Sequence, residues 1–379
     1  MKSTPMEFEE KTKEISKQLD CRDCGALLKY APGTTDLKCD YCGAANEITE
    51  AAAPTVVEEI DFDKFLNENS SGVEKLEVVT VKCENCGASS TLKPNISSDS
   101  CPFCASPIVV TGGTACSIIK PKYLLPFKIE QKAAFQEFHK WVSSLWFAPN
   151  DLKHYVDNAD KLNGMYIPYW TYDSKTASDY TGQRGDNYLT TESYTTIENG
   201  KSVSRTRTVT KIRWSYASGN VHNSFDDVLI LASNSLPENF TTALEPWDME
   251  SLTGYNDKFL SGFRTESYQV DVKTGFEKSK VIMDAGIRDS ICRDIGGDHQ
   301  RIGSVDTIYN DISFKHILLP IWLSAFRYNE NVYRFMINGR TGEVQGERPY
   351  STVKIVLAAL GGVALGFAIY FGIQFYYQE

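Results

Sequence analysis

The hydrophobic pattern changes character several times along the chain. Residues 6–19 carry Met6, Phe8, Ile15 and Leu19 among Glu and Lys, which predicts a short solvated helix. Leu76 to Val81 reads as a β-rich strand, and Ile108-Val109-Val110 as another before Gly112-Gly113. Between Gln131 and Phe147, Ala134, Phe138, Trp141, Val142 and Leu145 recur at helical spacing and predict an amphipathic helix. Strand patterns follow at Tyr166–Tyr172, Tyr188–Thr195 and Ser202–Tyr216. Helical segments are expected near Ser251–Phe263 and Lys280–Ile295, the second with Met283, Ile287, Ile291 and Ile295 four apart. Ile317–Leu323 and Val332–Ile337 are further strands, and Asn338-Gly339-Arg340-Thr341-Gly342 is a hairpin turn. Pro-x-Trp occurs in both Tyr166–Thr171 and Ile317–Leu323, which suggests a duplicated half-domain or a shared sheet.

The pattern closes on Ile355–Ile373, a run with no charged side chain. At 1.5 Å per residue it extends about 28 Å, close to a bilayer's hydrocarbon thickness. Tyr370, Tyr376 and Tyr377 suit headgroup depth. Arg340, Arg348 and Lys354 precede the run and no cation follows it, so the positive-inside tendency expects the bulk of the protein in the cytoplasm. Residues 354–377 are thus expected to anchor the protein in the lipid bilayer as a single-pass protein of the cell (inner) membrane. Ala358, Gly362 and Gly366 share one helix face, which would permit helix–helix association.

Eight of the ten cysteines form two matching quartets. Cys21-x2-Cys24 and Cys39-x2-Cys42 are the first; Cys83-x2-Cys86 and Cys101-x2-Cys104 are the second, with fourteen residues between the pairs in each. A Cys-x2-Cys turn offers two thiolates to one ion, and a second turn completes a tetrahedron. Gly25, Gly43 and Gly87 follow the second cysteine of three of these turns, where positive φ lets backbone N–H groups face sulfur. The charged opening, Met1 to Asp20, has no secretory pattern, so reduced thiols are expected rather than disulfides. Two zinc ribbons, holding two Zn2+, are the reading. Iron competes, since Cys101-Pro102-Phe103-Cys104 is a rubredoxin-like turn, but the fourteen-residue loops hold only Tyr30 as an aromatic cover. Cys116 and Cys292 lack such partners and read as buried apolar residues.

Between the quartets, Ile48–Ser71 contains Glu58, Glu59, Asp61 and Asp63 and reads as an acidic, partly disordered linker. Its Ile60, Phe62 and Phe65-Leu66 cluster is expected to dock on a ribbon or a partner. With a net charge of −10, the 379-residue chain has no general attraction to nucleic acid. Arg205, Arg207, Lys211 and Arg213 alternate with Thr206–Trp214, but without stacking aromatics between the charges they read as the solvated face of a strand. Nucleic acid is therefore the disfavoured partner.

No P-loop, His-Glu-x2-His or Gly-x-Ser-x-Gly motif occurs, and His139, His154, His222, His299 and His316 share no spacing. Asp298-His299 after Gly296-Gly297 reads as a polar loop. Four-cysteine sites leave no open coordination position, so no enzyme activity is expected. An unrecognised activity within 121–350 is the remaining enzymatic alternative.

The two ribbons, the Tyr-Ile-Pro-Tyr-Trp strand and the Ile-Asn-Gly-Arg-Thr-Gly-Glu-Val-Gln-Gly-Glu-Arg-Pro run resemble a family of bacterial zinc-ribbon membrane proteins. Its members are often labelled primosomal replication factors or TFIIB-type zinc-ribbon proteins. The resemblance covers nearly the whole chain. It implies a protein encoded beside SPFH/virion-core-like and phage-shock-type membrane-stress proteins, which it would help place at the membrane. The expected architecture is multidomain: two small β zinc ribbons, an α+β domain with a mostly antiparallel sheet, and a C-terminal transmembrane helix. Its layout is a helical lead-in (1–20), ribbon one (21–47), acidic linker (48–75), ribbon two (76–112), aromatic-rich domain (121–350) and tail anchor (354–377). The expected role is a scaffold that recruits cytosolic or membrane-associated proteins, with a nucleic-acid-binding ribbon protein as the alternative.

Overall fold

The computed structural model describes residues 20–48, 57–67, 73–91, 98–104, 106–109, 114–149, 162–198, 201–328 and 331–376. The expected lead-in helix at 6–19 lies outside these residues, as does the side chain of Cys116. The first cysteine module is a small sheet of β1 (Lys29–Tyr30), β2 (Asp36–Lys38) and β3 (Ala45–Glu47). Next come β4 (Ile60–Asp61) and the short helix α1 (Phe62–Asn67). The second module uses β5 (Lys75–Lys82), β6 (Ser89–Thr91), β7 (Ser98–Ser100), β8 (Pro107–Val109) and β9 (Thr114–Ile119).

The rest is organised by one sheet. It contains β10 (Tyr123–Leu124), then, after helix α2 (Gln131–Ser144), β11 (Asn163–Glu198) and β12 (Lys201–Leu231). Two-residue strands β13 (Thr253–Gly254) and β14 (Arg264–Thr265) precede helix α3 (Val272–Ile295). β15 (His299–Tyr328), β16 (Asn331–Asn338) and β17 (Val344–Gly346) complete the sheet, and α4 (Thr352–Tyr376) follows. With β4 the sheet has nine strands, in the principal order β12-β11-β15-β10-β13. Pairing is antiparallel except β10 with β15 and β11 with β14.

The two Pro-x-Trp segments share this sheet: Gly164 faces Trp322 and Trp170 faces His316 across β11 and β15. Side chains alternate between the faces of a strand, and the core divides accordingly. Tyr166, Leu318 and Trp322 pack with α2 and the first cysteine module. Met165, Ile167, Tyr169, Ile317, Leu319 and Ile321 pack with the second. The duplicated modules therefore lie on opposite faces of one sheet, each continuous with its core. Further along the first face, α3 covers Trp170 and Tyr172 with Val272, Phe276 and Met283.

Four expectations change. The helix expected at 251–263 is two 3-10 turns, Met249–Ser251 and Asp257–Leu260, flanking β13. Pairing of Thr253–Gly254 with β10 and the Asn256 side chain accepting from Lys258 N outcompete helix. The acidic linker is ordered over 57–67 and docks on the sheet rather than on a ribbon. Ile60 and Asp61 pair with Phe314 and Ser313, and Phe62 is buried against Phe276 and Phe314. The expected separate strands at 188–195 and 202–216 belong to one 36-residue and one 31-residue strand of a single hairpin. β15 accompanies this hairpin only as far as Gly185, which pairs with His299. Residues 186–198 and 201–213 therefore continue as a two-stranded arm of roughly 40 Å. Finally, Cys292 on α3 is half-buried rather than fully buried.

Candidate metal centres

Cys21, Cys24, Cys39 and Cys42 converge, and so do Cys83, Cys86, Cys101 and Cys104; within each quartet the sulfurs lie within 4.8 Å of one another. Sγ–Sγ separations are 3.5 Å for Cys21–Cys42 and Cys24–Cys39, 3.7 Å for Cys83–Cys104 and 3.6 Å for Cys86–Cys101. Disulfides, with sulfurs about 2.05 Å apart, do not fit. A tetrahedron with 2.3 Å metal–sulfur bonds has edges of about 3.8 Å, which does. Each quartet can hold one metal ion with four cysteine ligands.

Local backbone chemistry prepares these positions. Gly25, Gly43 and Gly87 have φ of 72°, 77° and 75°, and their N–H groups close turns onto the carbonyls of Cys21, Cys39 and Cys83. The backbone N–H groups of Ala26, Ala44 and Ala88 point at the sulfurs of Cys24, Cys42 and Cys86. N–H groups of Cys42 and Tyr41 pull the Cys39 thiol down to about 6, towards the thiolate a metal requires, while the neighbouring Cys24 and Cys42 thiols are raised.

The modules are oriented differently. Tyr41 and Phe103 hold equivalent positions in Cys-x2-Cys turns, yet Tyr41 is 84% exposed and Phe103 is 0% exposed. Cys24 and Cys42 are exposed, whereas their counterparts Cys86 and Cys104 are half-buried and buried. Leu27 stands exposed beside the first quartet. The second module turns its metal-binding end into the sheet, and the first presents it outward.

A third cluster, not anticipated from the sequence, lies where the long strands bulge. Pairing shifts between Tyr172 and Ser174, and Asp227 adopts φ 52°. The bulge aims Asp173 towards Asp227, whose N–H it accepts at 2.6 Å. Buried Lys315 sits among the carboxylates of Asp227 (2.7 Å), Glu59 (3.0 Å) and Asp173 (3.5 Å). Its ammonium already supplies the neutralising charge that the Glu59, Asp173 and Asp226 grouping calls for. Burial raises Asp173 to about 7, helped by the hydrogen bond it shares with Glu59. Burial also opposes ionisation of Glu59, but hydrogen bonds from Asp173, Ser313 and Lys315 outweigh it and hold Glu59 near 2. A lysine at the head of the run Phe314–Leu323, apolar apart from Lys315 and His316, was the available sequence signal.

On the arm, the basic residues have no aromatics between them along β12 but do have aromatic neighbours. They sit on the adjoining strand: Arg207 lies over Tyr194 and Arg213 over Tyr188. Arg207 and Lys211 also pair with Glu192. The opposite face of the arm carries no charge, with Thr191, Ser193 and Thr195 facing Thr208, Thr206 and Ser204. Asp298 and His299 form a polar junction at the arm's base, where Asp298 accepts from Asn187 N and His299 pairs with the Asn187 side chain.

The Asn-Gly-Arg-Thr-Gly run is a structural junction. Asn338 is fully buried; its side chain accepts from Arg340 N and Thr341 N and donates to the Leu244 carbonyl. Arg340 donates to the Pro126 carbonyl and to Asp248. A Cβ on Gly339 would lie 2.7 Å from the Phe127 ring and 2.8 Å from the Pro320 carbonyl, so the close approach requires glycine there.

α4 carries a candidate membrane span, Thr352–Ile373, by length and composition, and none of its apolar window is buried within the protein.

The uncharacterized protein YdjG of Bacillus subtilis (strain 168) is 24% identical over 250 residues, spanning 65% of this chain and 69% of the relative. No family model matches the chain. No solved structure matches it.

Proposed function

We propose that this protein is a membrane-anchored, zinc-binding scaffold whose outward-facing first module recruits a cytosolic or membrane-associated protein. The contrast between Tyr41 and Phe103 carries this reading. Burying Phe103 explains the second module as part of the core. Leaving Tyr41 and Leu27 in solvent at a rigid metal-closed turn suits a docking surface, because aromatic anchors dominate interface energetics. Zinc is the metal assigned to both four-cysteine sites, where it would fix the turns without an open position for chemistry. The helix Thr352–Ile373 would cross the bilayer, with the sheet and modules on the cytoplasmic side. The partner class expected from the family resemblance, SPFH/virion-core-like or phage-shock-type proteins, belongs to this proposal.

The test is a crosslinking pull-down from native membranes with wild type, Tyr41→Asp and Cys21→Ser. A defined protein lost with Tyr41→Asp, while two zinc ions per chain are retained, supports docking through the first module. Retention of every partner by both variants would move recruitment to the sheet or its arm. Co-purifying nucleic acid that persists through salt washes would favour the nucleic-acid alternative.

A further inference from the structure

The end of α2 and the start of α4 enclose a groove of about 560 Å³ that neither the metal centres nor the docking surface uses. Its lining includes Val142, Leu145 and Trp146 from the α2 end and Lys354, Leu357 and Ala358 from α4. The two elements are tied at this level. Ser351 N donates to the Phe147 carbonyl at 2.7 Å, and Lys354 Nζ to the Ala148 carbonyl at 2.8 Å. Trp146 is 76% exposed and Phe147 is 40% exposed, side by side beyond the last turn of α2. A soluble surface has little use for such a pair, whereas Trp at headgroup depth is favoured because its ring is apolar and its N–H polar.

We infer that this groove takes one phospholipid of the cytoplasmic leaflet. This rests on the membrane-spanning reading of α4. The groove has the polarity of such a lipid. Lys354 stands at its polar end with two N–H donors beyond the one given to Ala148, enough for a phosphate. Leu357 and Ala358, one turn further along α4, form the apolar end where the acyl chain begins, and Val142 and Leu145 add apolar wall from the α2 side. Continuity with the apolar helix argues for lipid over a protein side chain: a gap open alongside a membrane-entering helix faces lipid on that side. Trp146 would lie against the glycerol region and fix the depth and tilt of the sheet above the bilayer.

The test uses the full-length protein reconstituted in phosphatidylcholine vesicles containing lipids brominated either near the carbonyl or near the chain terminus. Tryptophan quenching is compared between wild type and Trp146→Phe. The expected result is a component quenched at least about twofold more by shallow than by deep bromines, lost in Trp146→Phe. As a second measurement, native mass spectrometry should find one retained phospholipid per chain in wild type and its loss in Lys354→Gln. Equal quenching in wild type and Trp146→Phe, or equal lipid retention with Lys354→Gln, overturns the lipid site. Vesicle flotation separates the two claims. A protein that floats without these signals retains its anchor and lacks the site, whereas one that does not float refutes the anchor and the site with it.

Discussion

The Tyr30 hydroxyl of the first cysteine module shares its proton between the Thr34 carbonyl at 2.9 Å and the Phe127 carbonyl at 3.2 Å, and the Phe127 oxygen also accepts from Gly33 N at 2.9 Å. Tyr30 N donates in turn to the Ser261 carbonyl, and Ser261 Oγ to the Leu28 carbonyl. Tyr30 also packs edge-on to Phe259. The module is thus hydrogen-bonded into the sheet's core from two sides. Such a small module buries little surface alone, and structural zinc contributes about 10–16 kcal/mol in comparable peptides. Cys39→Ser should therefore cut bound metal from two ions to one per chain. It should also lower hydrogen-exchange protection beyond the module, in 123–129 and 259–263. Zinc analysis with exchange mass spectrometry checks this. Loss of protection confined to 21–47 would show that the module folds independently of the sheet.

Lys315 predicts a pH dependence with a definite sign. Asp173 is raised to about 7, so the folded protein holds a proton that the unfolded chain releases near its ordinary carboxylate value. That contribution to stability is complete at low pH and is lost as pH rises through 7. Glu59, held near 2, contributes in the opposite direction, and its share is lost only as pH falls towards 2. Denaturant unfolding should show a loss on the order of 1–2 kcal/mol between pH 5 and pH 8, after allowance for solvent screening. Asp173→Asn should flatten that difference. An unaltered pH profile in the variant would mean that other groups set it.

Breaking the same cluster at its cation should cost more. Lys315→Met leaves Asp173 and Asp227 facing one another without the ammonium that neutralises them. Removing one partner of a buried ion pair typically costs about 3–5 kcal/mol. The linker residue Glu59 should detach as well, seen as faster amide exchange across 57–67. Stability within 1 kcal/mol of wild type would indicate that water solvates the cluster.

What the sequence revealed follows from how local each constraint is. The cysteine quartets were legible because metal geometry fixes their spacing, and α3 was legible because Met283, Ile287, Ile291 and Ile295 all face the sheet. Pro-x-Trp pointed to the shared sheet because both tryptophans are buried for it, with N–H groups donating to the Val270 and Ile129 carbonyls. The linker's docking was hidden, since the site that receives Phe62 is assembled from Tyr172, Phe276 and Phe314, which are distant in sequence. The opposite orientation of the two modules was hidden for a similar reason. Tyr41 and Phe103 are interchangeable in local pattern, and only the strand face beneath Phe103 distinguishes them.

The arm makes a prediction about modularity. Beyond Gly185 its strands receive no third strand among the described residues, and its ion pairs are solvent-exposed, where water and salt screen them. Replacing 188–211 with a two-residue turn should leave zinc content unchanged and the melting temperature within a few degrees of wild type. A large destabilisation would reveal that the arm covers the body of the protein in solution.

Asn338 offers the sharpest test of how the closing run works. Its side chain is wholly buried and makes three hydrogen bonds, two from backbone N–H groups of its own turn and one to Leu244 across the core. Aspartate can still accept from Arg340 N and Thr341 N but cannot donate to the Leu244 carbonyl, and it brings a buried charge. Leucine keeps the volume and loses all three bonds. Each buried group left unsatisfied costs about 1–3 kcal/mol, so Asn338→Leu should be destabilised by roughly 3–6 kcal/mol. Asn338→Asp should be destabilised less at pH 4 than at pH 8, because a protonated carboxyl can donate where the carboxylate cannot. Urea unfolding of both variants at the two pH values decides the matter. Equal losses in Asn338→Asp at both would mean that the Leu244 contact contributes little, leaving turn geometry as the reason for asparagine at this position.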